Sequence, residues 1–100
     1  MSGPTLSHVM DQLRAMLPDL QMRYGVQSLG VFGSYVRGEQ DSRSDLDLVV
    51  EVDDRALSLF DFVRLENELS DALCLNVDLV EKRALRRPMG RRILSEVIVV

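Results

Sequence analysis

Residues 45–52, DLDLVVEV, alternate between two sets of positions. One set is wholly apolar: Leu46, Leu48, Val50 and Val52. The positions between them carry Asp45, Asp47, Val49 and Glu51, three of which are carboxylates. Because successive side chains of a β-strand point to opposite faces, this pattern predicts a strand with one apolar face and one acidic face. A chain containing such a strand must bury one face of a sheet.

Three further segments predict strands. Residues 26–32 are short, partly β-branched and followed by Gly33, which predicts a strand that ends in a turn. Residues 75–82 alternate again and place Asp78 on the polar face. Residues 98–100 predict a short additional strand.

Helices are predicted where apolar residues recur at steps of three and four. The first helix begins at residue 5, continues to at least residue 20, and is bent or restarted by Pro18. A second begins at Ser58 and ends near Cys74, with an apolar stripe of Leu59, Phe62, Leu65, Leu69 and Leu73. The last runs from about Pro88 to Val97.

Length and composition limit the kind of protein. A chain of 100 residues with 46% hydrophobic content supports one core, so residues 1–100 are expected to form a single α+β or α/β domain. The net charge of −4 argues against general nucleic-acid binding, and no apolar run is long enough to span a membrane. The single cysteine, Cys74, excludes an intramolecular disulfide and is expected to be a buried small hydrophobe. A cytoplasmic location is expected.

The spacing of the aspartates predicts a metal site. Asp45 and Asp47 stand two apart on one strand, so both carboxylates project from one face with their α-carbons about 7 Å apart. If the strand containing Asp78 pairs beside them, a third carboxylate joins at about 5 Å. Carboxylate oxygens suit Mg²⁺ or Mn²⁺, and three carboxylates can hold two ions for nucleotidyl transfer.

A candidate phosphate-binding turn directly follows the first predicted strand. Gly33 allows a phosphate to approach the backbone closely. If residues 34–37 form one helical turn, their free amides, the Ser34 hydroxyl and the Arg37 guanidinium all point at an anion. The segment lacks the lysine of a P-loop.

Gly33-Ser34, ten intervening residues and Asp45-Leu46-Asp47 together resemble the signature of the DNA polymerase β-like nucleotidyltransferase superfamily. Over the whole chain the resemblance is to its minimal nucleotidyltransferases, the MNT or MntA-like antitoxins. It implies the nucleotidyltransferase fold, a small mixed β-sheet of three to four strands packed against about four helices.

The resemblance also implies roles for individual residues. Asp45 and Asp47 would bind two Mg²⁺ ions, with Mn²⁺ as an alternative, while Asp78 would bind the catalytic ion and help to deprotonate the acceptor. The triphosphate of ATP would be held by a set of four residues: Gly33, Ser34, Arg37 and, through its backbone amide, Ser44. The family transfers AMP to a tyrosine of a partner HEPN-domain toxin and thereby silences it.

Other interpretations remain open at this level. The aspartates of an isolated Asp-X-Asp are usually solvated, and a lone arginine such as Arg37 is often a surface residue. The chain is either an enzyme or a noncatalytic antitoxin that neutralises by binding, and transfer to a small molecule is a further alternative. Half of the basic residues lie in segment 82–92, which is either a solvated helix face or a surface for phosphates, RNA or an acidic partner.

Overall fold

The computed structural model describes residues 5–41, 43–53, 57–85 and 89–100. Its helices are α1 (Leu6–Tyr24), α2 (Ser34–Arg37), α3 (Leu59–Leu73) and α4 (Met89–Glu96), with a 3-10 turn at Lys82–Ala84. Its strands are β1 (Val26–Phe32), β2 (Leu46–Val52), β3 (Val77–Glu81) and β4 (Ile98–Val99). The predicted α+β class, with its small sheet and about four helices, is confirmed.

The four strands form one mixed sheet in the order β3-β2-β1-β4. Strand β1 pairs antiparallel with both β2 and β4, whereas β2 and β3 run parallel. Parallel neighbours need a long crossover connection, which α3 supplies. In the β2–β3 register, Leu46 lies opposite Val77 and Asp47 lies opposite Asp78. The apolar face and the acidic face of β2 therefore both continue onto β3.

Helices α1 and α3 provide the side chains that cover the apolar face of the sheet. The sheet contributes, among others, Leu46, Leu48 and Val50, and the helices contribute Val9, Leu13, Leu20, Leu65, Leu69 and Leu73. Leu59, predicted to share this stripe, is 78% exposed. It is the first residue of α3, and the buried residues of that helix begin only at Leu65.

The long helices begin at side-chain caps. The Thr5 hydroxyl accepts a hydrogen bond from the backbone N–H of His8, and the Ser58 hydroxyl accepts one from Asp61, as predicted for the second helix. Helix α1 is uninterrupted from Leu6 to Tyr24 with Pro18 inside it, so the predicted restart is wrong. No helix of the described residues is long and apolar enough to cross a membrane.

The connection from α3 to β3 differs from expectation at two positions. Cys74 is exposed, because it is the C-cap of α3 in the left-handed conformation, with φ 55°, and lies beyond the apolar stripe. Its prediction as a buried hydrophobe is wrong. The backbone N–H of Leu75 donates to the carbonyl of Ser70 at 3.2 Å, so residues 75–76 complete this turn. Strand β3 consequently begins at Val77 rather than at Leu75.

Candidate active site

The sheet face opposite the core carries the predicted aspartates. Asp47 lies within β2 and pairs in register with Asp78 of β3, and neighbouring strands are about 5 Å apart. Asp45 directly precedes β2. Asp47 is half-buried, while Asp45 and Asp78 are exposed. The structure therefore brings Asp78 beside Asp47, which was the condition for a third carboxylate at this site.

The electrostatics of Asp47 connect it to four other side chains. Burial raises the pKa of its carboxyl group above the usual value, and the negative charges of Asp78 and Asp45 raise it further. The Arg37 guanidinium lowers this pKa, whereas the Glu96 carboxylate adds to the rise. These five charged groups come from different parts of the chain but lie near one another. A second positive charge near Asp47 would reduce the repulsion among the carboxylates.

The three aspartates fit a divalent cation by their chemistry. They supply only carboxylate oxygens, the ligands of Mg²⁺ and Mn²⁺, and their mutual repulsion is of the kind that a bound cation removes. Among the described residues, however, no three His, Cys, Asp or Glu side chains already stand where they could hold one ion. Binding would therefore require their side chains to rotate towards a common point.

Gly33 connects β1 to α2 directly against Asp47. Its φ of 79° and ψ of −149° are typical of glycine only, and a β-carbon at this position would collide with the Asp47 carboxylate. Phe32, the residue before it, pairs with Asp47 across β1 and β2. The sequence explained Gly33 by the approach of a phosphate. The structure adds a second reason, which is that the turn must lie against the aspartate.

Residues 34–37 form one helical turn, α2, which was the condition for their proposed part in phosphate binding. The backbone amides of Ser34 and Tyr35 lie at its start, where a helix has no internal acceptors for them. Tyr35 is only 1% exposed and belongs to the core, and its hydroxyl has no hydrogen-bond partner among the described residues. Burial raises the pKa of Tyr35, with a further contribution from the charge of Asp41. Tyr35 thus anchors the turn to the core.

Arg37 forms ion pairs with two glutamates. Its Nη1 donates to Glu96 Oε1 at 2.6 Å, and its Nε donates to Glu39 Oε2 at 3.1 Å. The hydrogen bonds that the guanidinium donates, first to Glu39 and then to Glu96, raise the pKa of Arg37 above its usual value. The guanidinium is near enough to act on Asp47, so its predicted place beside the site is consistent with the structure. No local sequence pattern points to Glu96, which lies 59 residues away along the chain.

Ser44 belongs to a turn that precedes β2. Its hydroxyl accepts from the backbone N–H of Asp41 at 2.9 Å, and its own backbone N–H donates to the Asp41 carbonyl at 3.2 Å. The Asp41 carboxylate in turn accepts from the backbone N–H of Arg43 at 2.8 Å. The Ser44 amide predicted to contact a phosphate is therefore engaged within the turn, and a phosphate would have to replace or share that bond.

The basic segment 82–92 is partly tied to the sheet. Lys82 Nζ donates to Glu51 Oε2 at 3.0 Å, and Arg83 Nη2 donates to the carbonyl oxygens of Val52 and Asp53. Arg91 and Arg92 are exposed on α4, and Arg86 and Arg87 lie outside the described residues. The first two cations of this segment thus have a structural role at the ends of β2 and β3.

Similarity to known proteins extends over most of the chain. A family model described as a nucleotidyltransferase domain matches residues 13–100. The protein adenylyltransferase MntA of Thermococcus cleftensis is 42% identical over 96 residues, which are 96% of this chain and 96% of that protein.

Solved structures agree with the sequence comparison. A proposed minimal nucleotidyltransferase matches with a TM-score of 0.80 at 35% identity and covers 98% of both chains. A toxin-antitoxin complex with AMP-PNP matches with a TM-score of 0.68 at 27% identity, over 93% of this chain and 69% of the other. The sheet order and the helix positions described above are therefore those of a known fold.

Proposed function

Since this chain belongs to the nucleotidyltransferase domain family, we propose that it transfers AMP from ATP to a tyrosine hydroxyl of a partner HEPN-domain toxin. It would act in this way as the antitoxin of a toxin-antitoxin pair. The observation that carries the proposal is the register of β2 and β3, which sets Asp78 beside Asp47, the residue against which the Gly33 turn lies. The toxin-antitoxin complex with AMP-PNP supports both the nucleotide and the kind of partner.

Asp45, Asp47 and Asp78 are the residues that would hold Mg²⁺ in this reaction. Bound Mg²⁺, or Mn²⁺ in its place, would favour ionisation of the acceptor hydroxyl and neutralise the charge of the triphosphate. The acceptor oxygen forms a bond to the α-phosphorus of ATP. The bond between that phosphorus and the oxygen shared with the β-phosphorus breaks, and pyrophosphate leaves. Asp78 takes up the hydroxyl proton at a carboxylate oxygen, for which its exposed position on β3 is suitable.

The turn after β1 is the proposed holder of the triphosphate. Gly33 lets the phosphates approach the backbone, and Ser34 offers an amide and a hydroxyl at the start of α2. Arg37 offers the N–H groups that its two glutamate partners do not use. The Ser44 amide would contribute after release from its turn bond to Asp41.

Incubation of the chain with its cognate HEPN toxin, labelled ATP and Mg²⁺ tests the proposal directly. Label is expected on a toxin tyrosine, and the double variant Asp45→Ala, Asp47→Ala is expected to transfer none. The matched control is Asp11→Ala, which removes an exposed aspartate of α1 that pairs with Arg14 at the surface. If the wild-type chain leaves the toxin unlabelled, or if the double variant labels it as well as the wild type, the proposal is wrong.

A noncatalytic antitoxin is the second candidate. A related protein, 27% identical to this chain, forms a toxin-antitoxin complex, and stable binding is all that this alternative needs. Under this alternative, a variant with all three aspartates changed to alanine would still protect cells from the toxin. Loss of protection in that variant, with complex formation retained in a pull-down, would favour catalysis instead.

A further inference from the structure

One carboxylate beside the candidate active site has no place in the nucleotidyltransferase signature. Glu96, the last residue of α4, binds the Arg37 guanidinium at 2.6 Å, and its side chain is only 27% exposed. The other partner of Arg37, Glu39, is 63% exposed and stands only two residues from it in the sequence. Of the two glutamates, Glu96 is the better buried and the more closely bound.

The chain that follows Glu96 is fixed to the same strand that leads into the Gly33 turn. Val97 packs so closely on Gly30 of β1 that a β-carbon at Gly30 would collide with its side chain. Ile98 then pairs with Val31 in the β4–β1 ladder. Because β1 carries α2 at one end and binds β4 along its side, the distance between Glu96 and Arg37 is set by the sheet.

The ion pair leaves part of the guanidinium available. Arginine has five N–H donors, and the two glutamates engage one on Nε and one on Nη1. Among the described residues no other bond to Arg37 is present, so both N–H groups of Nη2 and one of Nη1 can bind another anion. The charges of Arg37 and Glu96 both act on Asp47, which puts the pair within electrostatic reach of the aspartates.

We propose that Glu96 is a positioning residue for the nucleotide: its carboxylate fixes the Arg37 guanidinium so that the free N–H groups remain directed at the triphosphate. This inference rests on the proposed function, since it takes ATP as the ligand. An exposed arginine loses much side-chain freedom when it binds a phosphate. A guanidinium that is already held in the folded chain loses less, and binding is correspondingly tighter.

Titration calorimetry with ATP and Mg²⁺ measures the effect without requiring transfer. Glu96→Ala is expected to weaken ATP binding about three- to tenfold. Glu96→Gln, whose side-chain oxygen can still accept from Nη1, is expected to restore most of it. In an Arg37→Ala background, Glu96→Ala is expected to have no further effect, because Glu96 acts through Arg37. The matched control, Glu51→Ala, breaks the comparable ion pair with Lys82 and should leave ATP binding unchanged.

Transfer kinetics supply a second readout, in which Glu96→Ala is expected to raise the KM for ATP and to change kcat less than about twofold.

If Glu96→Ala does not fold, as judged by thermal unfolding, Glu96→Asp replaces it. This variant keeps the charge, shortens the side chain, and is expected to weaken ATP binding. Unchanged or tighter ATP binding by the folded variant would overturn the inference, and tighter binding would mark Glu96 as a competitor of the phosphates. Failure of the wild-type chain to modify the toxin, with the Glu96 effect on ATP binding present, would overturn the proposed function alone.

Discussion

The two faces of β2 differ in charge and in burial, although Val49 on the acidic face is also buried. On one face Leu46, Leu48 and Val50 are completely buried against α1 and α3. On the other, burial and then the charges of Asp78 and Asp45 raise the pKa of the half-buried Asp47, and Glu51 is partly exposed and paired with Lys82. Leucines that stabilise the fold therefore stand directly beside an aspartate of the candidate site within one strand of seven residues.

Leu48 and Asp47, neighbours on opposite faces of β2, therefore contribute to stability with opposite signs. Burial of the leucines stabilises the folded chain, since it removes apolar surface from water. The folded chain resists the charge on Asp47, since the pKa of that carboxyl is raised. Substitutions at adjacent positions of β2 should therefore change the free energy of unfolding in opposite directions.

Leu48→Ala should produce the largest loss. Leu48 is fully buried at the centre of β2, and truncation of such a leucine leaves a cavity that costs about 2–5 kcal/mol of the free energy of unfolding. Urea denaturation followed by circular dichroism measures this cost. An unfolding midpoint equal to that of the wild type would show that the apolar face does not carry the stability of the chain.

Gly33→Ala should come next and should affect both faces. The left-handed backbone at this residue is expected to cost about 1–3 kcal/mol with a β-carbon present, and the new methyl group also displaces the Asp47 carboxylate. ATP binding and AMP transfer should both fall. The control is Gly38→Ala, which also has a positive φ, 71°, but open space around the β-carbon. Equal losses of ATP binding in the two variants would contradict the special role of the Gly33–Asp47 contact.

Asp47→Asn should have a smaller effect and the opposite sign. The pKa of Asp47 is higher in the folded chain than its usual value of 3.8. The folded chain therefore loses stability relative to the unfolded chain as the pH rises from about 3.8 through the raised pKa. At pH 7 without metal, the variant should therefore melt at a higher temperature than the wild type, whereas its AMP transfer should be lost. Mg²⁺ at ten times its Kd should add about 1.4 kcal/mol to the wild type only. Thermal melts at pH 4 and pH 7, with and without Mg²⁺, measure the pH effect and the Mg²⁺ effect. A melting temperature of Asp47→Asn below that of the wild type at pH 7 without metal would contradict the prediction.

The smallest effect is expected on the outer side of the helical layer. Glu68 of α3 accepts hydrogen bonds from Arg23 and Tyr24 of α1, and chiefly the Arg23 bond lowers the pKa of Glu68 to about 2. A lowered pKa stabilises the folded chain above pH 4.5, and this contribution is lost as the pH falls from 4.5 towards 2. Glu68→Gln should remove that part of the pH dependence, with only a slight loss at pH 7 because the pair is at the surface. Melting temperatures measured between pH 2 and pH 7 test this, and an unchanged profile would contradict it.

Much of the fold followed from local patterns. The alternation in residues 45–52 predicted β2 to within one residue, and the glycines around residues 26–32 predicted β1. These features depend on near neighbours in the chain, which the sequence displays directly. The helical turn of residues 34–37 was stated only as a condition for phosphate binding, and the structure fulfils it.

Features that depend on distant residues were missed. The ion pair of Arg37 with Glu96 joins positions 59 apart, and no local pattern marks it. The continuity of α1 through Pro18 is set by packing along the whole helix and overrides the preference of one residue. The pairing of β3 with β2 could be stated only as a condition, since the direction in which α3 crosses the sheet decides it.

Exposure of Cys74 offers a practical route to observe nucleotide and toxin binding. It is the only cysteine of the chain, and it borders a surface groove that also contains Ser44 and Asn76. A thiol-reactive fluorophore would therefore attach at one position of the chain, without prior replacement of other cysteines. Its fluorescence would report on changes near the turn that contains Ser44 and precedes β2. The natural sequence thus already contains the attachment point for a single-label binding assay.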